Sequence, residues 1–147
     1  MRILGLDLGT KTLGVALSDT TLTIASSLDT IRFDEGKQEA SLDELRKIVN
    51  DYDVSLIVLG LPKNMNNTYG FAAKRSEDFK KVLEDKLGIK VVLQDERLTS
   101  VTANNVLIEA DISRRKRKSK VDKLAATIIL QNYLDIRKEK EKWKITK

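Results

Sequence analysis

Four large aliphatic residues follow one another in the middle of the chain, from Leu56 to Leu59, and the run ends at Gly60, Leu61 and Pro62. A short unbroken apolar run that ends at turn residues is typical of a β-strand covered on both faces. Such a strand needs a further layer on each side of the sheet to bury it. The run therefore predicts an α/β domain with helices on both faces of a sheet.

Three strand patterns precede this run. They are separated by turn signals, and they cover Ile3–Leu8, Leu13–Ser18 and Leu22–Ile31. Consecutive strands joined by short links commonly pair as antiparallel neighbours. We therefore expect the first half of the sheet to be an antiparallel meander.

Helical periods begin after the third strand pattern. Ser41 and Glu44 fit a capping box at the start of a first helix, and Gly88 fits the stop of a second helix over Gly70–Leu87. A strand and two helices follow over Ile89–Leu93, Thr99–Ala110 and from Ser119 beyond Leu134. The order βββαβαβαα predicts a mixed five-stranded sheet in one domain of residues 1–136, followed by a charged tail of residues 137–147.

Composition limits the chemistry of this domain. The chain has no cysteine and no histidine, which excludes disulfides, thiolate nucleophiles, Cys/His zinc sites and histidine acid–base catalysis. The net charge of +5 favours polyanionic partners such as nucleic acid. No apolar stretch is long enough for a signal peptide or a membrane span. We therefore expect a cytoplasmic protein without a membrane partner.

Three acidic residues stand at the ends of predicted elements. Asp7 ends the first strand, Glu96 follows the fifth strand, and Asp122 lies in the first turn of the last helix. Each residue also has a purely structural interpretation. Asp7 could lie in a solvated turn, Glu96 in a charged loop, and Asp122 could cap the helix together with Ser119. Together, however, three carboxylates in a basic protein without histidine indicate Mg²⁺ or Mn²⁺, which can activate water for phosphodiester hydrolysis.

A run of cations directly precedes Asp122. It consists of Arg114, Arg115, Lys116, Arg117, Lys118 and Lys120. Like charges at this density repel one another, and phosphate groups relieve the repulsion through charge-assisted hydrogen bonds and counterion release. This basic run is therefore predicted to bring a nucleic-acid backbone to the acids. The alternative is a solvated surface loop.

Four short segments combine acids, glycines and cations at the ends of the predicted elements: Asp7–Lys11, Gly60–Asn64, Asp95–Thr99 and Lys120–Ala126. In content, order and spacing they resemble the motifs of the YqgF family. That family comprises relatives of the RuvC-type Holliday junction resolvases, with a ribonuclease H-like fold. The resemblance covers the chain up to about residue 134 and implies an α/β ribonuclease H-like domain.

The resemblance also implies roles for individual residues. Asp7, Glu96 and Asp122 would be the catalytic, metal-binding acids, and nucleic acid would be contacted by Lys11, Asn64, Arg97 and the basic run. The chain departs from the RuvC pattern at the end of the fourth strand, where Gly60 stands in place of an acid. A second departure follows Asp122, where RuvC-type enzymes tend to carry another acid.

The function implied by the resemblance is a metal-dependent nuclease that processes the precursor of 16S ribosomal RNA. One alternative is a Holliday junction resolvase, which requires a homodimer because a symmetric junction is cut at two related sites. Another is an ATP-binding domain, which is disfavoured because such proteins hold nucleotide between two domains. The last is a non-catalytic factor that binds ribosomal RNA, ribosomal proteins or transcription proteins.

Overall fold

The computed structural model of the chain describes residues 1–61, 70–95 and 124–138. Strands form a single five-stranded sheet, and in chain order they are β1 (Arg2–Leu8), β2 (Thr12–Ser18), β3 (Ala25–Arg32), β4 (Val54–Leu61) and β5 (Lys90–Asp95). Helices α1 (Leu42–Asp51) and α2 (Phe71–Leu87) lie on either side of β4 in sequence, and a further helix covers residues 124–138. The helix predicted over Thr99–Ala110 lies outside the described residues.

The strand order across the sheet is β3-β2-β1-β4-β5. The pairs β1–β2 and β2–β3 are antiparallel, as the meander predicts, whereas β1–β4 and β4–β5 are parallel. The predicted mixed sheet is therefore confirmed. Because β1, β4 and β5 run in the same direction, their carboxyl ends meet at one edge of the sheet, which we call the carboxyl edge.

Alternation along β1 divides the sheet into two unlike faces. Leu4, Leu6 and Leu8 point to one face, where they are fully or almost fully buried against α1 and α2. We call this the leucine face. Its core also contains Phe79 and Leu83 of α2.

The opposite face carries Ile3, Gly5 and Asp7 and is covered by the 124–138 helix. We call this the glycine face. A Cβ atom added to Gly5 would stand 2.6 Å from the Cβ of Leu130 and 3.1 Å from the carbonyl oxygen of Ala126. The helix backbone therefore approaches the strand more closely than any side chain at residue 5 would permit. The prediction of helices on both faces is confirmed.

Two details differ from the sequence-based expectation. The capping box at Ser41 is wrong, because Ser41 ends a short 3₁₀ helix (Gln38–Ser41) and its Oγ donates to the Gln38 carbonyl at 2.6 Å instead of capping α1. Strand β3 begins at Ala25, later than predicted, because Leu22 has a φ of +58° and Asp19 binds the backbone of the turn. The stop at Gly88 is confirmed by its left-handed φ of +65°.

None of the helices in the described ranges is long and apolar enough to cross a membrane.

Candidate functional site

Asp7 lies at the carboxyl end of β1 on the glycine face, where it is half-buried. Gly14 of β2 pairs directly with it. On the other side, Leu6 pairs with Leu59, which brings Gly60 of β4 level with Asp7. We call Gly14 and Gly60, the two glycines that flank Asp7 on the neighbouring strands, the glycine floor. The residues directly beside Asp7 on both neighbouring strands therefore carry no side chain.

The turn after β1 brings Lys11 to the same edge as Asp7. Gly9 donates its backbone N–H to the carbonyl of Thr12 at 2.8 Å, which closes the turn. Phe33 donates its N–H to the carbonyl of Lys11 at 3.0 Å, which ties the turn to the residue after β3. The Lys11 side chain itself is exposed. Its backbone is fixed, and its ammonium group can reach a ligand in solvent near the carboxyl edge.

Strand β5 ends at the same edge. Its last residue, Asp95, pairs with Leu61 of β4, and Gln94 pairs with Gly60. Glu96 and Arg97 follow Asp95 directly in the chain but lie outside the described residues. The described backbone therefore ends next to the glycine floor, one residue before the second predicted acid.

The direction of the 124–138 helix follows from its contacts. Ala126 and Leu130 lie over Gly5. Gln131 lies at the opposite edge, where its Oε1 accepts from the Ala25 N–H at 2.8 Å and its Nε2 donates to the Thr23 carbonyl at 3.0 Å. The helix therefore runs away from the carboxyl edge, and its amino end faces the edge where Asp7 stands. Positive charge concentrates at that end of a helix dipole, which favours anions there.

Asp19 stabilises the turn between β2 and β3, whose backbone forms hydrogen bonds with Gln131. The carboxylate accepts hydrogen bonds from the Thr21 hydroxyl, the Ile24 N–H at 3.0 Å and the Thr23 N–H at 2.8 Å. These bonds, the Thr21 hydroxyl first among them, lower the pKa of Asp19 from 3.8 to about 2. The turn therefore presents the Thr23 carbonyl and the Ala25 N–H to Gln131 in a fixed geometry.

Sequence reasoning did not identify Gln131 as a residue that shapes the site, and it did not predict that Gly14 pairs with Asp7. A signal for Gln131 exists, because it is a polar residue between Leu130 and Leu134, both fully or almost fully buried. A signal for Gly14 does not exist in a strand pattern, since its importance depends on its pairing with Asp7 across two strands.

Of the predicted site residues, Asp7 and Lys11 are described and lie at the same edge. The others lie outside the described residues: Asn64, Glu96, Arg97, Arg114, Arg115, Lys116, Arg117, Lys118, Lys120 and Asp122. Within the ranges 1–61, 70–95 and 124–138, no three acidic residues cluster closely enough to hold a metal ion. A three-carboxylate site would therefore need acids from the segments that follow β5 and precede the 124–138 helix.

Comparison with known proteins identifies the family to which the chain belongs. A family model described as "RuvX: Holliday junction resolvase" matches residues 1–136. The chain is 53% identical over 135 residues to a Bacillus subtilis protein, covering 92% of this chain and 98% of that one. It is 54% identical over 136 residues to an Oenococcus oeni protein, covering 92% and 94%. Both relatives are named "Putative pre-16S rRNA nuclease".

Solved structures show the same fold at low identity. RuvC of T. thermophilus in complex with Holliday junction substrate aligns with a TM-score of 0.56 and 13% identity, over 95% of this chain and 96% of that one. The fowlpox virus resolvase in complex with Holliday junction DNA gives 0.53 and 16%, over 92% and 97%. The chain therefore has a RuvC-like ribonuclease H fold, which confirms the predicted fold class.

Proposed function

The chain belongs to the RuvX family, the one its four motifs resemble under the name YqgF, and from this membership we propose that it is a metal-dependent nuclease that processes the precursor of 16S ribosomal RNA. The observation that carries the proposal is the position of Asp7. It stands half-buried on the glycine floor, at the edge where β5 ends and toward which the 124–138 helix directs its amino end. We also expect the protein to act in the cytoplasm.

The donor set fits Mg²⁺ or Mn²⁺. Asp7 supplies carboxylate oxygens between Gly14 and Gly60. The two remaining acids of the proposal are close in sequence to described elements that reach the same edge. Glu96 is the residue after β5, and Asp122 is two residues before the start of the described helix at residue 124. Hard divalent cations prefer such oxygen ligands. When bound, the metal supplies Lewis-acid activation of water and neutralises charge on the phosphate.

The remaining residues of the proposal bind the substrate. A sugar–phosphate backbone that reaches this edge would meet no side chain from Gly14 or Gly60 beside Asp7. Lys11 is exposed at the same edge and can pair with a phosphate. Asn64, Arg97 and the basic run would hold neighbouring phosphates, which position the strand without selecting its sequence.

A second candidate is resolution of branched DNA. It is favoured by the description of the family model and by the likeness to resolvases, although that likeness concerns the fold alone. Precursor RNA is preferred because relatives above 50% identity carry the RNA nuclease name. A resolvase would have to act as a homodimer. A binding factor with ribosomal or transcription partners would instead bind nucleic acid without cutting it.

One experiment separates these candidates. Labelled precursor RNA and a four-way DNA junction are each incubated with the protein in Mg²⁺, in Mn²⁺ or in chelator. The proposal predicts metal-dependent cleavage of the RNA that is abolished in Asp7→Asn and Glu96→Gln and retained in the control Asp85→Asn, which lies on the exposed side of α2. Cleavage of the junction alone would identify a resolvase. Binding of RNA without cleavage of either substrate would identify a non-catalytic factor.

Metal binding has a readout that is independent of cleavage. A cation that binds the folded protein but not the unfolded chain raises the melting temperature by mass action. Mg²⁺ or Mn²⁺ should therefore raise the melting temperature of the wild type and of Asp85→Asn, but not that of the double variant Asp7→Asn, Glu96→Gln. Equal shifts in all three proteins would contradict the metal site.

A further inference from the structure

A groove opens on the leucine-face side of the molecule, between α1 and the edge strand β3. Its volume is about 360 Å³. Its floor is made of the half-buried Leu28, Ile48 and Tyr52, and its rim carries the exposed carboxylates of Asp29, Glu44 and Asp51 with a single cation, Lys47. Among the described residues, none of these three carboxylates has an ion-pair partner. The groove is thus an apolar slot with an acidic rim.

The acidity extends beyond the groove. The segment from Asp29 to Asp53 contains eight acidic and four basic side chains, a net charge of −4, in a chain whose total is +5. The rest of the chain therefore carries +9. An acidic surface on a protein that binds nucleic acid repels phosphate, so this side favours a cationic peptide over nucleic acid.

A cationic segment with apolar residues follows the last described helix. Residues 139–147 contain four lysines and two glutamates, a side-chain charge of +2, together with Trp143 and Ile145. Trp143 is the only tryptophan of the chain. The composition of this segment complements the groove in both respects, with cations for the acidic rim and two large apolar side chains for the floor.

The 124–138 helix ends on the side of the molecule from which the groove can be reached. Gln131 contacts Thr23 and Ala25 at the amino ends of β1 and β3, and the helix continues for about 10 Å beyond it. Tyr52 lies at the same edge, because its carbonyl accepts from Arg2 at the start of β1. Trp143 is the fifth residue after residue 138, so an extended segment can place it up to roughly 17 Å from the end of the described helix.

Large hydrophobic side chains are exposed on this side of the molecule. In the described ranges, the exposed large hydrophobic residues are Met1, Ile24 and Ile136, with 57%, 59% and 47% of their surface accessible. Met1 begins the chain beside β1, Ile24 precedes β3 in the turn that Gln131 grips, and Ile136 is near the end of the helix. All three therefore lie toward the amino end of the sheet, the side on which the described helix ends.

We propose that residues 139–147 fold around this edge and dock in the α1–β3 groove, with Trp143 against Leu28, Ile48 and Tyr52 and lysines against the acidic rim. The tail is then a strap that joins the helix layer of the glycine face to the helix layer of the leucine face. The proposal does not depend on the nuclease function, because none of its residues belongs to the proposed metal site.

Trp143 reports docking directly in the full-length protein. Docking predicts a blue-shifted emission and a collisional quenching constant several-fold lower than that of a free peptide of residues 139–147. Raising NaCl from 0.1 M to 1 M shortens the Debye length from about 10 Å to about 3 Å, and should remove part of this protection. A wild-type Trp143 as accessible as the free peptide would overturn the proposal.

Charge reversal tests the partner of the tail. Glu44→Lys with Asp51→Lys in the groove should expose Trp143, and so should Lys142→Glu with Lys144→Glu in the tail, which leaves every described contact intact. Combining the two pairs should restore protection. The matched control Asp78→Lys with Asp85→Lys, on the exposed side of α2, should leave the fluorescence unchanged. Protection that survives the tail reversal would overturn the proposal. Protection that appears only when precursor RNA is added would instead make the tail a nucleic-acid contact.

Discussion

The two faces of the sheet are packed by different means. On the leucine face, Leu4, Leu6 and Leu8 of β1 interdigitate with α1 and α2, so large side chains separate the layers. On the glycine face, Gly5 brings the backbone of the 124–138 helix into direct contact with the same strand, and the core combines Ala16 and Ala126 with larger aliphatic residues such as Leu130. Asp7 belongs to the second face. One strand therefore packs through large side chains on one side, and on the other it meets a helix backbone at close range and carries a carboxylate.

This difference indicates that one face mainly stabilises the fold and the other mainly carries the candidate site. Stability scales with buried apolar area, which large side chains supply. A site for a phosphate backbone needs open space beside a carboxylate and a short distance between the elements that carry the acids. Glycines meet the second requirement and contribute little to the first. Substitutions on the leucine face should therefore change stability, and substitutions on the glycine face should change function.

The largest effect is expected at Asp7. Asp7→Asn keeps the size of the side chain but removes the charge that a hard cation requires. Cleavage of precursor RNA should fall by orders of magnitude, while the melting temperature stays the same or rises because a partly buried carboxylate is neutralised. Cleavage and thermal melting are measured on one preparation, with Asp85→Asn as the control. Normal cleavage by Asp7→Asn would remove Asp7 from the site.

The next effect is expected at Leu6, on the opposite face of the same strand. Leu6 is fully buried in the leucine-face core, so Leu6→Ala creates a cavity that should lower the free energy of unfolding by about 2–5 kcal/mol. Urea denaturation measures the loss. The fraction that remains folded should cut RNA at nearly the wild-type rate. A large loss of specific activity in the folded fraction would show that the two faces are not separable.

A smaller loss of stability with a larger loss of function is expected at Gly5. In Gly5→Ala the new methyl group would meet the Leu130 Cβ at 2.6 Å, so the 124–138 helix must move away from the strand. Overpacking of this kind costs about 1–3 kcal/mol. If Asp122 is carried at the amino end of this helix, the movement should also weaken metal binding, which titration of the thermal shift with Mn²⁺ measures. Unchanged metal affinity would separate the helix position from the site.

The smallest effect is expected at Asp19, which supports the glycine face at a distance. Its pKa falls from 3.8 to about 2 in the folded protein, so its contribution to stability is present above the unfolded pKa and is lost as pH falls through the folded one. Because the side chain is only partly buried, the slope should be shallow. Melting temperatures of wild type and Asp19→Asn should converge as pH is lowered from 4 toward 2. Parallel curves would mean that the turn does not hold the carboxylate as described.

Much of the fold could be predicted from local patterns. The apolar run in β4 correctly indicated a strand covered on both faces, and Gly88 correctly indicated the end of α2. The errors arose where neighbours decided the conformation. Ser41 fits a capping box by sequence, but the preceding 3₁₀ helix already holds its backbone in a helical conformation with φ −76° and ψ −12°, so its hydroxyl bonds to Gln38 instead.

The site was predictable to a lesser degree, and the reason is physical. Period-two alternation placed Asp7 on the face opposite Leu6. The lack of histidine and cysteine limited the possible metal ligands to oxygen atoms, so the sequence alone decided which groups could bind a metal. Only tertiary structure decided that Gly14 and Gly60 flank Asp7 and that the 124–138 helix points its amino end toward it. Strand register and helix direction depend on contacts between residues far apart in the chain, such as Gln131 with Ala25, and no local period encodes these contacts.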